Sequence, residues 1–287
     1  MEASLNRRGY LYGFATVAFY CSFMLVTRYG ASRSALAPID LAFLRFLFAG
    51  LFFVVLAFIR RDRSALSVPW PKALALAFVM GPVYILLVAW GMIYGTASDA
   101  AVVINGSMVL ASAGLSIWFL TASFRGRKAL GLALLLLGLV LATNGNFGGG
   151  RGLSYALFAA GGVLWACYAV LVKLWQLDGW TAATLANVLP ALTFVPVVAV
   201  LRWNTLTTYS PSLLLFHGVF QGVLIAGIAM VLFSRTVEHL GAPRASSLMP
   251  LVPCLTAVLS AFILGEAPAA AQIAGLGLVV GGIFASR

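Results

Sequence analysis

Arg45 stands seven residues inside an apolar run that opens at Pro38, "PIDLAFLRFLFAG". On a helix that is about 10 Å along the axis. A charge so deep in an apolar element is costly, so it faces a cavity, snorkels to an end or bonds backbone carbonyls. Arg45 can therefore anchor an anionic group or form an internal electrostatic lock, or it can be a structural arginine. Asn105, in "VVINGSMVL", brings an amide with donor and acceptor capacity. It suits a solute path or a helix–helix bond. His217 and Gln221, in "LLLFHGVFQGVLIAGIAM", are four apart and share a helix face. They can meet a polar ligand or a neighbouring helix. Tyr20, Trp165 and Tyr168 can stack on a ring or an ammonium, tryptophan being the best cation platform, or can simply pack. Pro250 and Pro253, in "SSLMPLVPCLTAVLSAFILGE", each remove a backbone donor and free an upstream carbonyl. The kink exposes backbone to a cavity or shapes helix packing.

Other chemistries lack their residues. Cys21, Cys167 and Cys254 lie in apolar runs, and an odd count without short spacing argues against a disulfide scaffold or a zinc site. His217 and His239 have no cysteine or acidic pattern beside them for a metal. No Ser–His–Asp set or paired carboxylates emerge, so an enzyme is not expected. The glycine-rich "GNFGGGRG" lacks the lysine of a phosphate loop and reads as an outer turn, so neither ATP driving nor a cofactor is expected. No acidic residue sits at mid-depth in an apolar run: Glu266 is at an interface and Asp99 near an outer end. A carboxylate proton relay has no candidate.

The elements that must position these residues follow from composition. Of 287 residues, 62% are hydrophobic and 9% charged, and mean hydropathy is +1.04. A soluble domain carries about 25% charge, so the outer surface here faces lipid. About 20 apolar residues cross the hydrocarbon core. Ten runs qualify: 9–27, 38–59, 72–94, 97–120, 128–144, 153–173, 181–201, 212–234, 243–264 and 268–285. They are too long, and do not alternate, for barrel strands. The N-terminal run is long and lacks a cleavage pattern, so it reads as a first span rather than a signal peptide. The fold class is all-α and polytopic, with ten transmembrane helices.

The net charge of +11 lies between apolar runs. It therefore points to membrane lipids and topology rather than nucleic acid. One side holds thirteen basic residues: Arg7, Arg8, Arg60, Arg61, Arg63, Lys72, Arg125, Arg127, Lys128, Lys173, Arg235, Arg244 and Arg287. The other holds four: Arg28, Arg33, Arg151 and Arg202. The positive-inside rule then puts both termini in the cytoplasm, the expected location being a bacterial inner membrane.

The chain also repeats. With a shift of 145, "YLYGFATVAFYCSFMLVTRYG" lies over "YALFAAGGVLWACYAVLVKLW", Tyr20 falling on Trp165 and Arg28 on Lys173. "TASDAAVVINGSMVLASAGLSIWFL" lies over "GAPRASSLMPLVPCLTAVLSAFILG", so Asn105 falls on Pro250. The expected halves are 1–147 and 148–287. Five spans per half make the repeat inverted, which favours a carrier that opens a central site to each face in turn. Gly131, Gly138, Gly275, Gly277, Gly281 and Gly282 suit close helix packing, and such small-residue faces also suit a homodimer.

In their order across the two halves, "RASSLMPLVPCLTAVLSAFILGE", "QIAGLGLVVGGIF", "PIDLAFLRFLFAG" and "LWACYAV" resemble the EamA-like ten-span group of the drug/metabolite transporter superfamily. The resemblance runs from about Tyr10 to Ala285. It implies two five-helix bundles around a central substrate path. Relatives handle amino acids, amines, purines, sugars and other metabolites, often outward, and some are exchangers. The sequence departs from the family at "FLTASFRGR", which lacks the Leu-Gly-Glu of some relatives. It departs again at Met108, which stands where the second half has Pro253, and at Tyr20-Cys21-Ser22, where many relatives have a Trp-Gly-Ser-like stretch. The expected function is secondary transport of a small organic metabolite, with export as the expected direction. A sensor or assembly subunit without transport, or a lipid-modifying enzyme, are the alternatives. A central cavity touched by Tyr20, Asn105, Trp165, Tyr168 and Gln221, with Arg45 beside it, is the expected site.

Overall fold

The structure, a computed structural model, describes residues 2–34, 36–120, 126–143 and 147–285. Arg125 and Arg287 of the charge tally, most of "FLTASFRGR" and the start of "GNFGGGRG" lie outside the described residues. The elements are helices α1 (Glu2–Ser32), α2 (Pro38–Arg60), α3 (Trp70–Met80), α4 (Pro82–Tyr94), α5 (Ala97–Leu120), α6 (Arg127–Ala142), α7 (Arg151–Leu174), α8 (Gly179–Leu206) and α9 (Pro211–Gly218). A π-helix, Val219–Ile228, then leads into α10 (Ala229–Leu240), followed by α11 (Ala242–Leu248), α12 (Leu251–Leu264) and α13 (Ala270–Ala285). Among the described residues, seven helical segments are long and apolar enough to cross a membrane, and three shorter apolar helices accompany them. Together these are the ten runs of the sequence.

Three spans are irregular, each for a local reason. The third breaks between α3 and α4 at Gly81–Pro82, where proline cannot continue the donor ladder. The eighth passes through the π-helix. The ninth breaks between α11 and α12, and Pro250 caps α12. Pro253 falls in the first turn of α12, where its missing N–H would have no intrahelical acceptor anyway. The break therefore belongs to Pro250. In the first half Asn105 and Met108 hold the equivalent positions, and α5 runs unbroken.

The packing pairs map onto one another when the halves are exchanged. α5 packs on α7 and α12 on α1; α4 packs on α7 and α10 on α1; α3 packs on α8 and the π-helix on α2. The pairs α2–α8, α6–α13 and α5–α12 map onto themselves. This is a pseudo-two-fold arrangement, and five spans per half make it an inverted repeat.

Large apolar side chains face outward, among them Phe58 and Phe262, each 84% exposed. In water this would be a liability, but in lipid it is the expected exterior. Three close helix contacts rely on missing side chains. A Cβ at Gly50 would strike Ala191 where α2 crosses α8, and one at Gly162 would strike Ser107 where α7 crosses α5. On α6, a Cβ at Gly138 would stand 2.7 Å from the Val279 backbone nitrogen of α13. Gly275 and Gly282 are equally confined, whereas Gly277 and Gly281 face open space. The glycines of the fifth and tenth spans thus divide into a packed set and a lipid-facing set.

Candidate functional site

Arg45 projects from α2 toward the π-helix. Its Nη1 donates to the Gln221 backbone carbonyl at 3.2 Å. That carbonyl lies in the π-helix, a winding that is rare and is often found at functional sites. The guanidinium stands 5.4 Å from the Phe23 ring centroid, and the phenols of Tyr20 and Tyr84 lie in its neighbourhood. The backbone behind it is tight: a Cβ at Gly222 would lie 2.8 Å from the Arg45 carbonyl oxygen and 2.7 Å from the Ala49 nitrogen. Glycine is what allows the π-helix to approach α2 this closely.

Gln221 extends the cluster to α1, its Nε2 donating to Thr27 Oγ1 at 2.9 Å. His217, one turn earlier, is fully buried. It packs where a side chain on Gly30 would stand, a Cβ there lying 2.8 Å from His217 Cε1. Both ring nitrogens of His217, Oε1 of Gln221 and Nε of Arg45 are buried without a protein partner. Buried polar groups are normally paired, so this concentration is unusual. The cluster takes residues from α1, α2, α4, α9 and the π-helix, and so draws on both halves of the chain.

The other sequence candidates fall around it. Tyr20 packs against the cluster of Val17, Leu240, Leu248 and Val252, whose last two members flank the break in the ninth span. Trp165 packs against the large core that holds Tyr84 and Phe158, and its Nε1 is buried without a partner. Tyr168 belongs to a separate cluster with Leu76 and Leu185. Asn105 donates its amide to the Ala101 carbonyl of its own helix at 2.7 Å, so one of its donor groups is used within α5. Sequence reasoning overlooked Phe23, Thr27 and Tyr84. Tyr84 had a signal, since it lies two residues past the Gly81–Pro82 break. Phe23 and Thr27 share the α1 face of Tyr20 at three- and seven-residue spacing, which was also readable. A small indentation lined by Ser98, Asp99, Gln272 and Leu276 lies at the end of α5 rather than at Arg45.

That end of the bundle, where α1 stops and α2 starts, is tied by long-range polar bonds. Arg28 Nε donates to Glu266 Oε1 at 2.6 Å, and its Nη1 donates to the Met92 carbonyl. Glu266 Oε2 accepts the Ala97 N–H at 3.2 Å. Gln272 Nε2 donates to Asp99 Oδ1 at 2.6 Å, and Ser98 and Ser260 share a 2.8 Å hydroxyl bond. Across the bundle the fully buried Asp40 accepts from Arg202 at 3.0 and 2.8 Å and from the Tyr209 hydroxyl at 2.8 Å. At the opposite end the ion pair between described residues is the exposed, local Arg235–Glu238. Cation–π contacts of Arg60 with Trp180 and Lys72 with Trp175 accompany it there. Among the described residues, long-range ion pairs are found at the end bearing Arg28 and Glu266, while the opposite end has the long-range Thr181–Ser64 hydroxyl bond at 2.6 Å.

The sequence profile described as "EamA-like transporter family" matches residues 7–144 and again 152–287. The chain belongs to the EamA-like transporter family. It is an integral membrane protein of the drug/metabolite transporter type. A solved structure described only as "Crystal structure of protein" superposes on this EamA-like chain with a TM-score of 0.61. The two are 19% identical, and the match covers 97% of this chain and 96% of the other. That likeness shows a shared fold. No curated protein matches the sequence.

Proposed function

We propose that this EamA-like transporter is a secondary carrier that moves a small organic solute past Arg45, outward across a bacterial inner membrane, with both termini in the cytoplasm. One observation carries the reading: the two halves meet at a buried cluster whose Arg45, Gln221 and His217 atoms lack protein partners. A transport site must hold cargo and also release it, which suits an amide, aromatic rings and one charge better than a dense cage. The strong ties at one end then act as the outer gate of an alternating-access cycle. Tyr20, Trp165, Gln221 and Arg45 line the path, while Pro250 and the π-helix supply its broken backbone.

Purified protein in liposomes should move at least one labelled solute from a panel of amino acids, amines, organic acids, nucleosides and sugars. Trp165→Ala and Gln221→Ala should each lower that flux while the protein stays monodisperse. Absence of flux across the panel from folded protein sinks the carrier reading. Orientation is tested separately by cysteine labelling: Arg63→Cys should react from the cytoplasmic side and Arg151→Cys from outside. Reaction of both from one side contradicts the topology.

A further inference from the structure

We infer that the Arg45 cluster takes an organic monoanion, a carboxylate on an apolar or aromatic body, and has no place for an ammonium group. This rests on the carrier reading and names its substrate class. The argument begins with a charge inventory. The sequence has seven acidic residues, and every one of those whose side chain is described is engaged or placed away from Arg45. Asp40, Asp99 and Glu266 are bonded at the outer end. Asp62 and Asp178 accept backbone N–H groups in the connections after α2 and before α8, and Glu238 pairs with Arg235. Glu2 begins α1. Arg45 is thus a cation within the spans whose recorded neighbours are two phenols, one phenyl ring and one carbonyl, all neutral.

A buried charge without a counter-charge is costly, and a guanidinium is shaped to bind a carboxylate through two parallel N–H bonds. Arg45 keeps its Nε free of protein partners on the edge that such a fork uses. A carboxylate there neutralises the site without an imported metal or proton. An ammonium in the same place meets repulsion instead, a penalty of roughly 300-fold in affinity at about 5 Å and an effective dielectric of about 20. The Phe23 ring beside the guanidinium offers an apolar face for the ligand's body, and the phenols of Tyr20 and Tyr84 are the polar groups nearby. The buried Oε1 of Gln221 remains as an acceptor for a neutral hydroxyl or N–H on that body.

Matched triads isolate the charge from the shape. Phenylacetate, phenylacetamide and phenethylamine share a body and differ in charge, and indole and n-butyl series repeat the comparison. Thermal unfolding of the purified wild-type protein in detergent at neutral pH, with each compound at graded concentrations, reads binding directly. The expected result is stabilisation by an acid from at least one series, with its amide and amine at least about 30-fold weaker. R45Q should weaken the acid response by at least about 30-fold. R45K keeps the charge and serves as the folded comparison should R45Q fail to fold; it should retain the response at roughly tenfold weaker affinity, having lost the planar fork. Stabilisation by an amine or amide equal to that by the acid overturns the inference. So does undiminished acid binding in R45Q, or the absence of a response to any acid in the wild type. Flux of an amine or sugar in the liposome panel would remove the anion class and leave the carrier standing, whereas absence of all flux removes the carrier itself.

Discussion

Adding one methyl group at Gly138 should loosen the bundle where α6 meets α13. The Cβ would stand 2.7 Å from the Val279 nitrogen, 2.8 Å from the Gly275 carbonyl oxygen and 2.9 Å from Leu278 Cβ. Two of these are backbone atoms, which cannot rotate aside, so the helices must part by roughly 0.7 Å to restore ordinary contact. A gap of that size forfeits about a quarter to a half of each dispersion well along the seam. Overpacking of this kind costs about 1–3 kcal/mol. Gly275→Ala should cost as much, since its Cβ would lie 2.6 Å from the Gly138 oxygen and 2.5 Å from the Ala142 nitrogen. The two clashes share one seam, so separation forced by the first methyl makes room for the second. The double variant should then fall short of the summed singles by about 1 kcal/mol, a coupling within the range for residues in contact. Gly281→Ala meets nothing within 4 Å and is the control, expected within about 0.5 kcal/mol of wild type. Unfolding in detergent–denaturant mixtures, followed by tryptophan fluorescence, measures all four. Additive costs, or a Gly281→Ala as damaging as Gly138→Ala, would refute the shared-seam reasoning.

Three further outcomes are expected at the end bearing Arg28, Glu266 and Asp40. Asp40→Asn should destabilise by roughly 1.5 kcal/mol, because the buried carboxylate that accepts both Arg202 bonds is lost while Arg202 itself stays partly solvated; a change under about 0.5 kcal/mol in the same unfolding assay would contradict it. The Tyr209 phenol, raised above its ordinary value by burial first and by its bond to Asp40 second, contributes stability that is intact below pH about 10 and is lost as pH rises through the raised value. A tyrosinate absorbance titration, taken as the difference between wild type and Tyr209→Phe, should show this late step and should show it earlier in Asp40→Asn. Glu266→Gln weakens the tie to Arg28 and should speed maleimide reaction of Ser98→Cys, in a background without native cysteines, from the outer side; an unchanged rate would remove this pair from the gate.

Much of the architecture was legible because lipid is a demanding solvent. It requires long apolar runs and makes an internal charge conspicuous, so the ten spans, Arg45 and the His217–Gln221 pair stood out. The pairing of charges did not. Arg28 and Glu266 lie 238 residues apart and Asp40 and Arg202 lie 162 apart. At span ends such residues read as topology signals, with nothing local to say which meets which. Asn105 was visible as a polar residue in an apolar run, but its bond to Ala101 is a rotamer choice that the sequence leaves open. Phe23 and Tyr84 were hidden by their own hydrophobicity among 20 phenylalanines and nine tyrosines. The break at Pro250 followed from residue type. The π-helix did not, because its one trace is the spacing of Gly218, Gly222 and Gly227, which steps by four and then five along the face toward Phe48 and Phe52.

That spacing makes the π-helix a phase shifter. Each residue of an α-helix turns the chain by about 100°, so a segment wound i→i+5 delivers the next helix at a different rotation from an α-helix of equal length. α10 leaves it with Thr236 and Leu240 turned into the notches at Gly13 and Gly9 of α1, where a Cβ would stand 3.2 Å from Thr236 Cγ2 and 2.7 Å from Leu240. Rewinding the segment by a single residue would swing both side chains out of their notches. It would also draw Gly222 off the backbone of Arg45. The azimuth of a helix against α1 and the setting of the buried guanidinium are geared through the same ten residues.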